Sequence, residues 1–264
     1  MNVAASLVRA DGGFEAPGPS IFDLPPVFSI GPVDVTKPML LLVLAALLVF
    51  AFFYAAARQR SMVPGKLQYA GEMAYGFVRN GLGRDIIGSQ DFLRFMPYLT
   101  ALFFFVLLNN LFATIPVIQF PTFSRAGMVY ALAGLSWLIY NGVGIQKHGF
   151  LGYLKLQTVP AGVSKVMWPL LIPLEFLSNI LVRPVTLALR LFANMFAGHI
   201  LLVLFSTGGL YLLQHGGIGY VAGPLAWVLA VAVAFLEILV QFLQAYVFAL
   251  LNAMYISGAL ADEH

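Results

Sequence analysis

The chain has 264 residues, 61% of them hydrophobic and only 9% charged, with a mean hydropathy of +0.90. A soluble domain is nearer one quarter charged, so a polytopic membrane protein is indicated. The net charge is +3 and no basic patch is gathered, which speaks against a nucleic-acid partner; without cysteine the chain has no disulfide, thiolate metal site or cysteine nucleophile.

Residues 1–37 are rich in proline and glycine and carry Asp11, Glu15, Asp23 and Asp34. They lack the basic start and apolar core of a signal peptide, and are expected to form an extracytoplasmic segment. The first predicted span is 38–57, "PMLLLVLAALLVFAFFYAAA", long enough for a hydrocarbon core of about 30 Å. Arg58, Arg60 and Lys66 follow it and mark its cytoplasmic end, which places the amino terminus outside. Over 66–87, charged residues mix with Leu67, Ala70, Met73, Ala74 and Phe77, a pattern suited to an amphipathic helix lying on the inner face.

The second predicted span, about 92–117, runs outward and carries Asn109 and Asn110 near its outer end. Each asparagine suits either channel lining or helix capping. A third span, 126–146, returns inward and delivers Lys147, Lys155 and Lys165. Nine of the fourteen Lys and Arg residues then lie inside; Arg9, Lys37 and Arg125 lie outside, and Arg183 and Arg190 remain in membrane helices. Two longer apolar stretches follow, about 167–206 and 220–258. Forty helical residues span roughly 60 Å, twice a perpendicular crossing, so both must tilt, kink or overhang. Pro169, Pro173 and Pro184 are the expected kinks of the first. Residues 38–258 thus form one transmembrane domain, and 259–264 a cytoplasmic tail. The predicted fold is all-α, with five membrane-crossing helices and one interfacial helix.

A charged side chain at bilayer depth costs between about 2.5 and 17 kcal/mol, so an arginine in "LALRLFANMFAGH" (187–199) points to function. Other polar residues of the 167–206 stretch are Glu175, Ser178, Asn179, Arg183, Asn194 and His199. Glu237, Gln241 and Gln244 on the last stretch are i, i+4 and i+7, hence on one helix face. For antiparallel helices, setting Arg190 against Gln244 brings His199 near Glu237. Glu175 lies fifteen residues before Arg190, roughly 22 Å toward the inner side. Carboxylates and imidazoles exchange protons, whereas a guanidinium stays charged. Exchangeable groups above and below a fixed positive charge describe two half-channels with a block, and a partner must carry protons past it.

These residues resemble subunit a of the rotary F-type ATP synthase, over about residues 38–258. The likeness is strongest in "RPVTLALRLFANMFAGH" and "FLEILVQFLQAYVFALL", with "NNLFATIP" in support. The resemblance implies a static, non-catalytic proton-channel subunit whose last two helices lie tilted and antiparallel against the ring of c subunits. It implies that Arg190 faces the ring carboxylate with Gln244 close by. Asn194, His199, Glu237 and Gln241, with Asn109 and Asn110 as candidates, would line the outer half-channel; Glu175 and Ser178 would lie near the inner one. The chain carries His199 and Glu237 where some members have an acid and a histidine, the reciprocal arrangement. Glu175 stands one residue further from the arginine than in many members, which a bulge between Ser178 and Pro184 would absorb. Implied partners are the c ring, b-type peripheral-stalk subunits, the catalytic head through the stalks, and the bilayer; no cofactor or metal is implied. The implied location is a bacterial plasma membrane, or alternatively an organellar energy-transducing membrane. A proton-coupled secondary transporter is the competing reading, although no internal repeat marks one. An intramembrane enzyme has no visible H-E-x-x-H, G-x-S-x-G or P-loop site.

Overall fold

The computed structural model describes residues 14, 16–22, 25–30, 33–58, 63–88, 91–115, 118–159 and 167–261. Lys165, Arg60 and the last three residues of the expected tail lie outside these, as do Arg9, Asp11, Glu15 and Asp23 of the amino-terminal segment. Strands β1 (Phe28–Ile30) and β2 (Val33–Val35) pair antiparallel, Ser29 opposite Asp34. Helix α1 is Lys37–Arg58, opened by Pro38 in its first turn, where a missing N–H costs nothing. Helix α2 (Lys66–Val78) continues as a π-helical segment, Arg79–Ile87. Helices α3 (Phe92–Leu111), α4 (Ala126–Thr158) and α5 (Trp168–Phe176) follow. A π turn, Leu177–Val182, joins α5 to α6 (Arg183–Gln214), and α7 is Gly219–Leu260.

Among the described residues, five stretches are long and apolar enough to cross a membrane: Lys37–Arg58, Phe92–Leu111, Ala126–Thr158, Trp168–Gln214 and Gly219–Leu260. The all-α polytopic reading therefore stands. Two details differ from the sequence reading. Helix α3 ends at Leu111 rather than near 117, in a run of turns whose amides reach back to Leu108, Asn110 and Leu111. Ile115 precedes a proline, which disfavours the α conformation there. The stretch α4 is two helices meeting at Gly149, whose φ of +71° and ψ of 165° are not helical, so the first ends close to the expected 146 and the second continues to Thr158. Pro169 sits in the first turn of α5 and so opens the helix instead of kinking it, whereas Pro173 is internal.

The chain divides into two compact units. One comprises residues 1–45, 107–125 and 192–244. Here the amino-terminal segment packs on α6 through Phe14 against Tyr211 and Phe22 against Phe196, with ring centroids 5.3 and 5.2 Å apart. Arg125 donates from Nε and Nη2 to the Phe22 carbonyl, and Lys37 Nζ donates to the Ile118 carbonyl at 2.9 Å. Trp227 fits over Gly209 and donates Nε1–H to the Ser206 carbonyl at 3.1 Å, which ties α7 to α6.

The other unit comprises residues 46–106, 126–191 and 245–264. Its core is Phe95, Tyr140 and Ile256, with Tyr98, Trp137 and Tyr255 packed around them. The Tyr98 hydroxyl joins three helices, 3.1 Å from both Ser136 Oγ and Asn252 Oδ1. Gly71 brings α2 against α1, since a Cβ there would meet that of Ala56 at 2.6 Å.

Candidate functional site

In the first unit, α6 and α7 run antiparallel and carry their polar residues inward. Glu237, Gln241 and Gln244 are all buried on α7, while Phe235, Leu236, Leu239, Phe242 and Leu243 are exposed on its other side. The 3.6-residue period produces this division, as the i, i+4, i+7 spacing requires. Asn194 Nδ2 donates to Gln244 Oε1 at 2.7 Å. Gly198, which precedes His199, faces Glu237: a Cβ built there would lie 3.5 Å from Glu237 Cγ. The Phe22 ring covers His199, centroid to centroid 5.8 Å.

Helix α3 completes this cluster. Asn109 and Asn110 are fully buried, and Asn110 Nδ2 donates to the Gln241 backbone carbonyl at 3.1 Å. Asn110 thus ties α3 to α7 and does not cap its own helix. Thr114 Oγ1 donates to Gln241 Oε1 at 3.0 Å. The sequence reading missed Thr114, which lies in the turns that follow α3 and not on its helical face. It also missed Phe22, which no periodic signal announces. Among the described residues, His199 Nδ1, Glu237 Oε1, Gln241 Nε2 and Gln244 Nε2 are buried without a hydrogen-bond partner. Such a concentration of unpaired polar atoms is costly in a packing core and suits groups that hand hydrogen bonds on.

In the second unit, Arg190 is exposed on α6, as are Thr186 and Leu189 beside it. Nothing in the sequence distinguished an inward from an outward arginine. Toward the start of that stretch, Glu175 Oε2 accepts from Asn179 Nδ2 at 3.0 Å. The same amide nitrogen reaches the Gln157 carbonyl at 2.6 Å. Gln157 Nε2 donates to the Tyr153 hydroxyl at 3.2 Å, and Tyr153 donates to Asn141 Oδ1 at 3.1 Å. Arg183 lies over the Tyr255 ring, 5.3 Å from its centroid, with Nη1 3.5 Å from Gln157 Oε1. It thereby touches both α4 and α7. Ser178 is half-buried in the π turn. Tyr153 and Gln157 were missed, because the sequence placed the end of α4 before them.

The comparisons with known proteins point one way. A family model described as ATP synthase A chain matches residues 39–257. The chain is 65% identical to a Nocardioides protein named ATP synthase subunit a, with all of both chains covered. It is 48% identical to the subunit of that name from Pseudarthrobacter chlorophenolicus, over 99% of this chain and 100% of the relative. For the one from Streptomyces lividans the identity is 41%, over 96% and 90%. The matches lend no support to the transporter reading. The chain belongs to the ATP synthase subunit a family, the non-catalytic proton channel of the F-type membrane sector.

Proposed function

We propose that Arg190 is the fixed charge at which a ring carboxylate is discharged, and that the two polar clusters are the proton paths on either side of it. The observation that carries this reading is the exposure of Arg190 near the middle of the Trp168–Gln214 span. A guanidinium turned away from its own bundle is stabilised only by an acid supplied from outside, or by snorkelling. Ala193 and Ala197 are also exposed on α6, three and seven residues further along. Small side chains on that face let a partner helix approach closely. A ring of c subunits fits this surface, since its carboxylate supplies the opposite charge.

His199, Glu237, Gln241, Asn110 and Asn194 form the outer path, ending at Gln244; Asn109 lies beside it. Glu175 and Ser178 belong to the inner path. A ring carboxylate takes a proton from one path, travels through lipid neutral, and is deprotonated beside Arg190, whose charge favours the ionised form. The guanidinium also repels a proton that would cross directly. Each proton contributes about 2.3 kcal/mol per 100 mV of membrane potential, so several are needed for each ATP made by the head. Residues 1–37 lie outside and 259–264 inside, by the distribution of basic residues. The b-type stalk subunits then hold the chain static against the rotating ring, in a bacterial plasma membrane.

Cross-linking tests the docking face directly, because the chain has no cysteine of its own. Ala193→Cys in the whole complex is expected to cross-link to a cysteine placed one helical turn from the ring carboxylate, whereas Ala234→Cys on α7 gives no such product. Cross-linking at neither position, in an assembled complex, contradicts the proposed face.

A further inference from the structure

The turn between α5 and α6 gains its shape from one residue and its support from another helix. Pro184 has no N–H, so the Ile180 carbonyl cannot receive the usual i→i−4 bond from it. The chain widens instead: the Arg183 amide bonds to the Ser178 carbonyl, five residues back, and Leu177–Val182 is π-helical. Trp137 on α4 donates its Nε1–H to the Ile180 carbonyl at 2.8 Å. Asn179, within the same turn, bridges the Gln157 carbonyl on α4 and the Glu175 carboxylate at 2.6 and 3.0 Å. Two side-chain amide or indole donors therefore hold the widened turn against one helix.

The turn sets the phase of the inner path. In an unbroken α-helix, fifteen residues from Glu175 to Arg190 leave the two about 60° apart around the axis. With one residue absorbed by the π turn, the offset becomes about −40°, a rotation of about 100°. We propose that Trp137 and Asn179 are positioning residues of the inner proton path: they hold the one-residue slip that aims Glu175 relative to Arg190. This inference rests on the assignment of Glu175 and Arg190 proposed above.

The test uses the whole complex in inverted vesicles, with assembly checked by copurification and ATP-driven proton uptake expressed per assembled complex. Trp137→Phe keeps the ring but loses the donor, and Asn179→Leu keeps the bulk but loses the amide. Each is expected to lower pumping five- to tenfold, roughly the worth of one hydrogen bond. Deleting Leu181, an exposed residue of the turn, leaves fourteen residues in an unbroken α-helix, hence the same offset of about −40°, and is expected to pump close to the native rate. In that background Trp137→Phe is expected to cost little, because no one-residue slip is left for the indole to hold. Difference infrared spectra give a second readout. The Glu175 carboxyl band, identified by its loss in Glu175→Gln, moves to higher frequency in Asn179→Leu. Undiminished pumping in both point variants overturns the inference, and so does a fall in pumping with an unmoved Glu175 band. Arg190→Ala serves as the reference: if it pumps normally the assignment of the arginine fails, whereas if it alone is defective that assignment stands and only the positioning role is lost.

Discussion

Glu237 and Gln241 show how a single side chain acquires a role from its helix face. Both are buried on α7, and Gln241 is held by two groups of the α3 segment, Asn110 through its backbone and Thr114 through its amide oxygen. Replacing Thr114 by valine leaves the shape and removes the donor. We expect slower proton pumping by severalfold with assembly intact, measured per complex in vesicles. Glu237→Gln removes the exchangeable proton and is expected to slow pumping further; a variant that pumps at the native rate would place Glu237 among structural groups. Tyr98 belongs to stability instead. Tyr98→Phe loses contacts to Ser136 and Asn252 and should cost about 1–2 kcal/mol, read as a lower unfolding temperature of the purified complex. At this scale the α7 residues were legible from spacing alone. Thr114 was not, since it lies in the turns beyond the end of α3. Phe22 was not, because its contact with His199 joins residues far apart in sequence, through a segment with no periodicity.

At the scale of elements, apolar length located the helices and punctuation residues altered their ends. The five spans were readable because about twenty apolar residues have one use in lipid. Gly149 was harder to read: a glycine in a helical pattern is as often tolerated as it is a bend. Its φ of +71° suits no side chain, so Gly149→Ala should destabilise the α4 bend by about 1–2 kcal/mol and disturb Tyr153 and Gln157 beyond it. The expected signs are weaker assembly and faster proteolysis near residues 150–158; an unaffected complex would mean that the bend is not required. The π turn had a sequence cause, Pro184, yet its shape depends on an indole donor from another helix. The β1–β2 hairpin escaped notice because three-residue strands carry too little alternation to see.

For the whole molecule, composition decided the solvent and the polar residues decided the chemistry. Large apolar side chains remain exposed along α1 and α7, which is the surface expected where lipid replaces water. Basic residues set the predicted orientation, and reporter fusions test it: a carboxyl-terminal fusion should be active only with a cytoplasmic reporter. The opposite result would invert the two proton paths. What no helical pattern could reveal is that Arg190 is exposed, since an i, i+4 spacing identifies a shared face without saying what covers it.

The most direct test of the account is proton flux in vesicles that hold the complete complex, wild type against Arg190→Ala, with copurification of the ring and head verified. The account predicts an assembled complex whose ATP-driven pumping is abolished. Undiminished coupled pumping in Arg190→Ala would contradict it and return the arginine to the role of a helix tether.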